Sequence, residues 1–432
     1  MTITTAILDI NDQSLMITTD LERSFSECGF AQLSNKGITC GADAYAMHWQ
    51  VPQSSFNDYW RRLNQLPLPN KQQWARHNAD IAFAQLQQML LAAGSPERLI
   101  LSVPASFSDP QLALLVGLLN ATSTTLLGVI DSGLLAALAI TEDSWVVELQ
   151  LHQTVLSLVR YEHSNGQTNL SVGQQEIIAD LGILQIHNTI AKHISDRLIK
   201  QYRYDPLHSS SGEQDIYNKM AGWLSGLVTH GEIIIMVRSP SGDLSLTLYK
   251  DEIIALLKRR LGHLDRVLST SSDTSIVFAE SAHLISLIAP AYAGNDTIKS
   301  VDAAINCLKI APTIFAETDE PVRVSSLKLA STSVPTKAQE FESKASIATH
   351  ILYDGQAWSL IEPLSINISE GRLELENGIN KTATVCIKII DNCLQILHQL
   401  HTLKVVLPSK CNVNKTLLIG EYRLVLIEVI HG

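Results

Sequence analysis

Two rhythms of apolar and polar positions alternate along the first 315 residues, short apolar runs and longer stretches of helical period. They predict strand and helix in turn. Residues 6–10 and 15–18 flank the polar triplet Asn11-Asp12-Gln13 and read as a β-hairpin. Ala82, Phe83, Leu86, Met89 and Leu90 share one face of a helix predicted over 70–93, which Gly94-Ser95-Pro96 stops. Residues 98–103 form a short apolar run that suits a buried strand ended by Pro104. Ser108 then offers an N-cap oxygen, with Pro110 at the first helical position, and residues 112–119 continue as a helix. Residues 126–130 return as a strand, and Asp131-Ser132-Gly133 leads into the small-residue helix LLAALA.

The second half repeats this texture. Residues 145–161 are a long β-rich run, and Asn165-Gly166 is a hairpin signal before a further strand. Ile183, Ile186, Ile190, Ile194 and Leu198 mark a helix over 179–204, followed by a loop at 208–212 and a helix over 214–228. EIIIMVR and LSLTLY form a hairpin, 251–268 an amphipathic helix, 275–279 a buried strand, and 281–288 and 300–308 helices. Around Ala316 the texture changes to short alternating runs, with strands expected at 384–390, 403–407 and 422–430. The expected organisation is an α/β domain over 1–315 and a mostly β domain over 320–432.

At 432 residues the chain can bury a large interior, and 46% hydrophobic against 17% charged residues makes it apolar without a membrane-length run. A net charge of −11 opposes sequence-independent nucleic-acid binding, and the run Lys258-Arg259-Arg260 reads as a solvated helix face. The six cysteines form no C-x-x-C pair and read as reduced and structural. The opening MTITTAILDI has neither a basic n-region nor a cleavage site, so the expected location is cytoplasmic, with no membrane insertion. The segment from Tyr45, His48 and Trp49 to Tyr59 and Trp60 concentrates aromatics, which suits core packing or a protein interface.

Val103, Pro104, Ala105, Phe107, Asp109 and Gln111 spell V-P-A-x-F-x-D-x-Q, ahead of a helix and a strand. This resembles the seventy-kilodalton heat-shock (DnaK-like) chaperone ATPases of the actin-like superfamily. The resemblance implies a two-lobed fold of duplicated ribonuclease-H-like units, lobe I over about 1–143 and lobe II over about 144–315. It also locates the nucleotide loops. The family's first phosphate loop, D-L-G-T-T, falls on Asp9-Ile10-Asn11-Asp12-Gln13, and the second, D-L-G-G-G-T, on Glu148 to Gln153. The adenosine loop G-G-S-T-R falls on Ala279 to His283, where Ser281 remains and doubles as a helix N-cap. G-G-x-x-F-D falls on Gly182 to His187, and the family's catalytic lysine falls on Arg61, which also reads as a surface residue of a helix. His152 reads as a water-exposed turn histidine. In the last domain, Ser333-Val-Pro-Thr-Lys337 with Phe341 is similar to the I-P-T-K…F of the chaperones' substrate domain, and 417–424 equally to a forkhead-associated-type sandwich.

Glycine lets backbone N–H groups close on a phosphate, and these loops have lost theirs except for Gly182, one of the two in G-G-x-x-F-D. Asp9, Glu148 and Arg61 are therefore vestigial catalytic candidates, and Asp12, Asp131, Gly182 and Ser281 the residues that line the cofactor position. The expected protein is a chaperone-like scaffold with an ATPase fold, no cofactor and no metal, acting on a protein partner or client. The alternative is a divergent chaperone that still binds ATP or ADP with magnesium, held by Asp9 and Glu148.

Overall fold

The first strand, Thr5–Asp9 (β1), carries three consecutive buried side chains, Ala6, Ile7 and Leu8, because it is covered on both faces. The computed structural model describes residues 4–69, 73–164, 167–269, 274–292, 295–315 and 322–330, and beyond them 349–353, 356–360, 362–369, 372–380, 382–390, 393–399, 405–406, 416–419 and 422–427. The chain is mixed α/β and divides into two compact units, Met1–Pro335 and Thr336–Gly432. Among the described residues no helix is long and apolar enough to cross a membrane.

In the first unit β1 pairs antiparallel with Leu15–Thr19 (β2), and β2 with Ser24–Glu27 (β3). The helix Asn78–Ala92 (α1) returns the chain to Arg98–Val103 (β4), parallel to β1. Helix Asp109–Leu119 (α2) follows, with Ser108 at its N-cap; the Ser108 N–H donates to Gln111 Oε1 at 3.0 Å and Pro110 lies in the first turn. Thr125–Asp131 (β5) lies parallel to β4, and the short helix Ser132–Ala137 (α3) starts where β5 ends. The predicted helix over 70–93 is thus shorter. Residues 70–72 lie outside the described residues, and 73–77 precede the helix.

Ser144–Leu149 (β6), Thr154–Ser164 (β7) and Gln167–Ile178 (β8) form a second antiparallel meander, with the expected Asn165-Gly166 turn outside the described residues. The single β-rich run predicted over 145–161 is two strands, broken by a turn at 150–153. Helices Ile183–Tyr202 (α4) and Ser210–His230 (α5) follow, so α5 begins inside the expected 208–212 loop, where Ser209 Oγ accepts from Gly212 N–H. Next come the hairpin Glu232–Ser239 (β9) and Gly242–Tyr249 (β10) and the helix Lys250–Leu268 (α6). Ser275–Ala279 (β11) lies parallel to β6, and after helix His283–Ile288 (α7) the short strand Thr297–Ile298 (β12) lies parallel to β11. Helix Ser300–Ile314 (α8) closes the series, six residues longer than its apolar spacing implied.

The two sheets have one topology. Reading across, the first runs β5-β4-β1-β2-β3 and the second β12-β11-β6-β7-β8, each an antiparallel meander extended by two parallel strands. Two late strands complete them: Val322–Val324 (β13) adds parallel to β5, and Ser326–Ala330 (β14) adds antiparallel to β8. The expected boundary near 315–320 is therefore too early, because 322–330 belongs to the sheets of the first unit.

Alternation along the strands distributes the core into layers. Ala6, Leu8, Leu99 and Leu101 pack with α1 and α2, whereas Trp145, Val147 and Leu149 pack with α4, α5 and α6. Ile7, Ile100 and Val146 point the other way into a shared middle layer, where the small residues of α3 and α8 let the two sheets approach (Ala136, Ala137, Ala303, Ala304). Arg260, in the basic run read as solvated, instead donates from Nη1 to Asp180 O at 2.6 Å and from Nε to Thr189 Oγ1 at 3.2 Å. Cys28, Cys40, Cys307 and Cys386 are free thiols.

The β9–β10 hairpin has two outer edges, and side chains occupy their outward carbonyls. Lys219 donates to Met236 O, Tyr204 to Arg238 O, Tyr202 to Ser245 O and Arg197 to Thr247 O. Those edges are thereby blunted against pairing with another strand. In the second unit a five-stranded antiparallel sheet of His350–Tyr353, Gln356–Ser359, Val405–Val406, Thr416–Ile419 and Tyr422–Ile427 and a four-stranded one of Leu364–Ser369, Arg372–Asn377, Val385–Ile390 and Cys393–Gln399 enclose a separate apolar core around Ile351, Ile366, Val385 and Leu424. The Ser333–Lys337 motif and Phe341 lie outside the described residues.

Candidate functional site

Asp9, Asp12, Glu148, Gly182 and Ser281 gather around two turns of the first unit, with the Arg61 charge acting on Asp12 and Asp131 at the end of β5 acting on Glu148. The β1–β2 turn contains Asn11, Asp12 and Gln13, with Ser14 N–H bonding Asn11 O at 2.9 Å. The β6–β7 turn spans residues 150–153, with Gln150 N–H bonding Gln153 O at 2.8 Å. A cleft of about 300 Å³ opens beside them, lined by Asp9, Asn11, Gln13, Glu148, Glu280 and Ser281 among others.

Each carboxylate sits where a strand ends. Asp9 closes β1 and accepts from Ser102 Oγ at 2.7 Å, a hydroxyl supplied by the adjacent parallel strand β4. Burial raises its pKa to about 6, against the lowering effect of that hydrogen bond. Glu148 lies near the end of β6 at 5% exposure and accepts from Ser132 Oγ at 2.7 Å. Burial, then the charge of Asp9, pushes Glu148 up to about 8. Asp131 caps α3 by accepting Gly133 N–H at 3.0 Å and also accepts from Gln175 Nε2 at 3.0 Å, so its side chain completes a helix end. Its pKa is raised by burial. Ser102 and Ser132 were not singled out from sequence; the visible signal was a lone hydroxyl in an apolar strand and another directly after Asp131.

The two turns bind each other. Asn11 Nδ2 donates to Leu149 O at 3.2 Å, and the Leu151 N–H donates to Asp12 Oδ1 at 2.7 Å. Asp12 is only 4% exposed and is absent from the cleft lining: its carboxylate faces the opposite turn. Burial raises its pKa to about 6, while the Leu151 hydrogen bond and the Arg61 charge pull the other way. Gln153 Nε2 donates to Gln150 Oε1 at 2.7 Å, and both side chains are buried.

Helix α4 closes the same arrangement. Its first amides, Ile183 N–H and Leu184 N–H, donate to Gln150 O and Leu151 O at 2.9 and 3.0 Å. Gly182 is needed for that approach: a Cβ there would lie 2.4 Å from His152 C and 2.5 Å from Gln153 N. Gly182→Ala is accordingly expected to lower the stability of the first unit by about 2–3 kcal/mol, the cost of overpacking against backbone that cannot move aside. Urea unfolding followed by tryptophan fluorescence checks this, and an unchanged midpoint contradicts it.

Three expectations need correction. Ser281 does not cap a helix: it lies in the 3₁₀ turn Glu280–Ala282, and its Oγ accepts the Leu149 N–H at 3.2 Å. Arg61 lies in a turn and not on a helix, partly buried, its backbone carbonyl held by Gln111 Nε2 at 2.8 Å and its Nε buried without a hydrogen-bond partner. His152 is not an exposed turn residue; it is half-buried with Nε2 3.0 Å from Asn57 O, and burial lowers its pKa.

A polyphosphate needs free N–H donors and cations to offset its charge. The Leu151, Ile183 and Leu184 amides already serve protein oxygens, and the cleft lining combines carboxylate, amide and hydroxyl groups with the apolar Met16, Phe25, Ala279 and Val301, and includes no cationic side chain. Among the described residues no group of three His, Cys, Asp or Glu side chains is spaced to hold a metal ion. No protein-family model matches the sequence, and no curated protein matches it.

Proposed function

We propose that the first unit is a two-lobed, actin-like body related to the heat-shock chaperone ATPases, whose nucleotide site has been sealed by protein groups, and that the chain acts as a nucleotide-independent scaffold for a protein partner. The matching topology of the two sheets supports the two-lobed reading. The observation that carries the loss of nucleotide is the Leu151 amide bound to the Asp12 carboxylate at 2.7 Å. An anionic side chain occupies the donor that a phosphate oxygen would need, and the α4 amides are spent on the turn itself. The partner-binding reading is supported by the outward face of the β9–β10 hairpin, where Ile234 is 72% and Met236 46% exposed on a chain of net charge −11.

Thermal unfolding with millimolar Mg-ATP or Mg-ADP tests the proposal. The expected result is no shift in midpoint. A ligand at 100 times its Kd adds about 2.7 kcal/mol, so a bound nucleotide shows plainly. A shift that disappears in Asp9→Ala overturns the sealed-site reading and establishes the divergent magnesium-nucleotide chaperone in its place.

A further inference from the structure

A segment of the first half reaches across to the second and is fastened there. It springs from Gly41, whose φ of +76° only glycine adopts easily and where a Cβ would lie 1.5 Å from Glu27 Oε2. Glu27 Oε2 then accepts the Ala42 N–H at 3.0 Å, fixing the departure of the chain. Eight residues beyond Gly41, Trp49 stacks on Tyr217 of α5 with centroids 3.8 Å apart and planes 10° from parallel. Tyr45 and His48 meet Trp49 edge-on at 5.2 and 4.8 Å.

Hydrogen bonds lock the stack in register. Gln214, 1% exposed, accepts the Trp49 N–H at 2.9 Å and donates to Tyr45 O at 2.9 Å, so one side-chain amide clamps the segment at two points. Tyr45 Oη donates to Tyr217 O at 2.8 Å. At the far end of the segment, Asn57 O meets His152 Nε2 on the second turn. The two ends of this segment therefore grip α5 and the β6–β7 turn, and the turn's Leu151 amide is the one bound to Asp12.

We infer that residues 42–57 are a strap, latched to α5 by the Trp49–Tyr217 stack and the Gln214 clamp, and that this latch keeps the two turns in contact. The structure around the turns is then held by two layers of contact, and releasing the outer one loosens the inner. Such a latch also sets the route of access: the turn–turn interface becomes reachable only after Trp49 leaves Tyr217.

Amide hydrogen exchange on the full chain reads this directly, through the peptide containing Leu151. In Trp49→Ala, exchange at Leu151 is expected to rise at least about tenfold while the β4 and β5 peptides stay at their wild-type rates, the signature of a local opening. Trp74→Ala, at a tryptophan 47% exposed and away from the strap, is the control and leaves Leu151 unchanged. Faster exchange in 42–57 with Leu151 at its wild-type rate overturns the inference. If Trp49→Ala accelerates every peptide, Gln214→Ala and Tyr45→Phe decide, since both keep the stacked rings. Selective acceleration at Leu151 supports the latch, and parity with β4 overturns it.

Discussion

Glu148→Gln is expected to stabilise the first unit at alkaline pH and to leave it nearly unchanged at pH 5. Burial and the charge of Asp9 raise the Glu148 carboxyl from 4.5 to about 8, so between those values the folded chain binds a proton that the unfolded chain releases. By linkage, stability falls as pH rises through that window, and the full penalty for the buried charge is present above about pH 8. Shifts of this size correspond to roughly 3–5 kcal/mol. Glutamine keeps an oxygen for the Ser132 hydroxyl, which donates at 2.7 Å, and removes the charge. Five of the six tryptophans lie in the first unit, so fluorescence-monitored urea unfolding at pH 5 and pH 8.5 reports mainly on it. The variant's midpoint should exceed wild type at pH 8.5 and match it at pH 5; parallel pH profiles contradict the assignment. A residual slope below pH 6 should persist in the variant, because Asp9 and Asp12, each raised from 3.8 to about 6, act in the same direction.

Gln85→Leu is expected to destabilise the first unit by about 3–5 kcal/mol, the sum of several buried groups left without partners after some relaxation. Gln85 is fully buried on α1. Its Oε1 accepts both the Tyr59 hydroxyl at 2.6 Å and the Trp60 indole N–H at 2.7 Å, and its Nε2 donates to Cys28 O at 2.9 Å. Tyr59 and Trp60 are 0% and 1% exposed, so water cannot substitute. Leucine matches the volume and offers none of these bonds. Adding Tyr59→Phe to Gln85→Leu should recover part of the loss by deleting one orphaned hydroxyl, a coupling read from the double-mutant cycle. A cost below about 1 kcal/mol for Gln85→Leu would show that the hub contributes little.

The alternation of strand and helix was legible because each element carries its own period: Ile183, Ile186, Ile190 and Ile194 mark one helix face, and Arg98–Val103 is apolar on both faces. The strands β13 and β14 were not assigned to the first unit, since their partners are distant in sequence and nothing local in Val322–Ala330 points to them. The turn at 150–153 was legible only through the resemblance, which places a hairpin loop on 148–153, because Glu148, Gln150 and His152 alternate with Val147, Leu149 and Leu151 as they would in an ordinary strand. At the site, strand-terminal acids were visible as residue types. Their partners were not: the spacing of Asp9 and Ser102, or of Asp12 and Leu151, is created by parallel pairing and by the meeting of two turns. Ser281 shows the opposite failure, where a residue suited to capping was drawn off by the Leu149 amide and the helix began two residues later.

The strands β13 and β14 also govern how the chain can be made. Nine consecutive residues, 322–330, supply an edge to both sheets, pairing first with β5 from the early part of the chain and then with β8. A growing polypeptide therefore holds two unfinished sheet margins until this stretch is synthesised, and the body finishes folding late. The second margin, Gln167–Ser171 of β8, is exposed to wrong partners throughout that interval. A chain ending near residue 315 would retain the candidate site and lose the stretch that joins its two sheets, so a minimal folded fragment extends at least through Ala330.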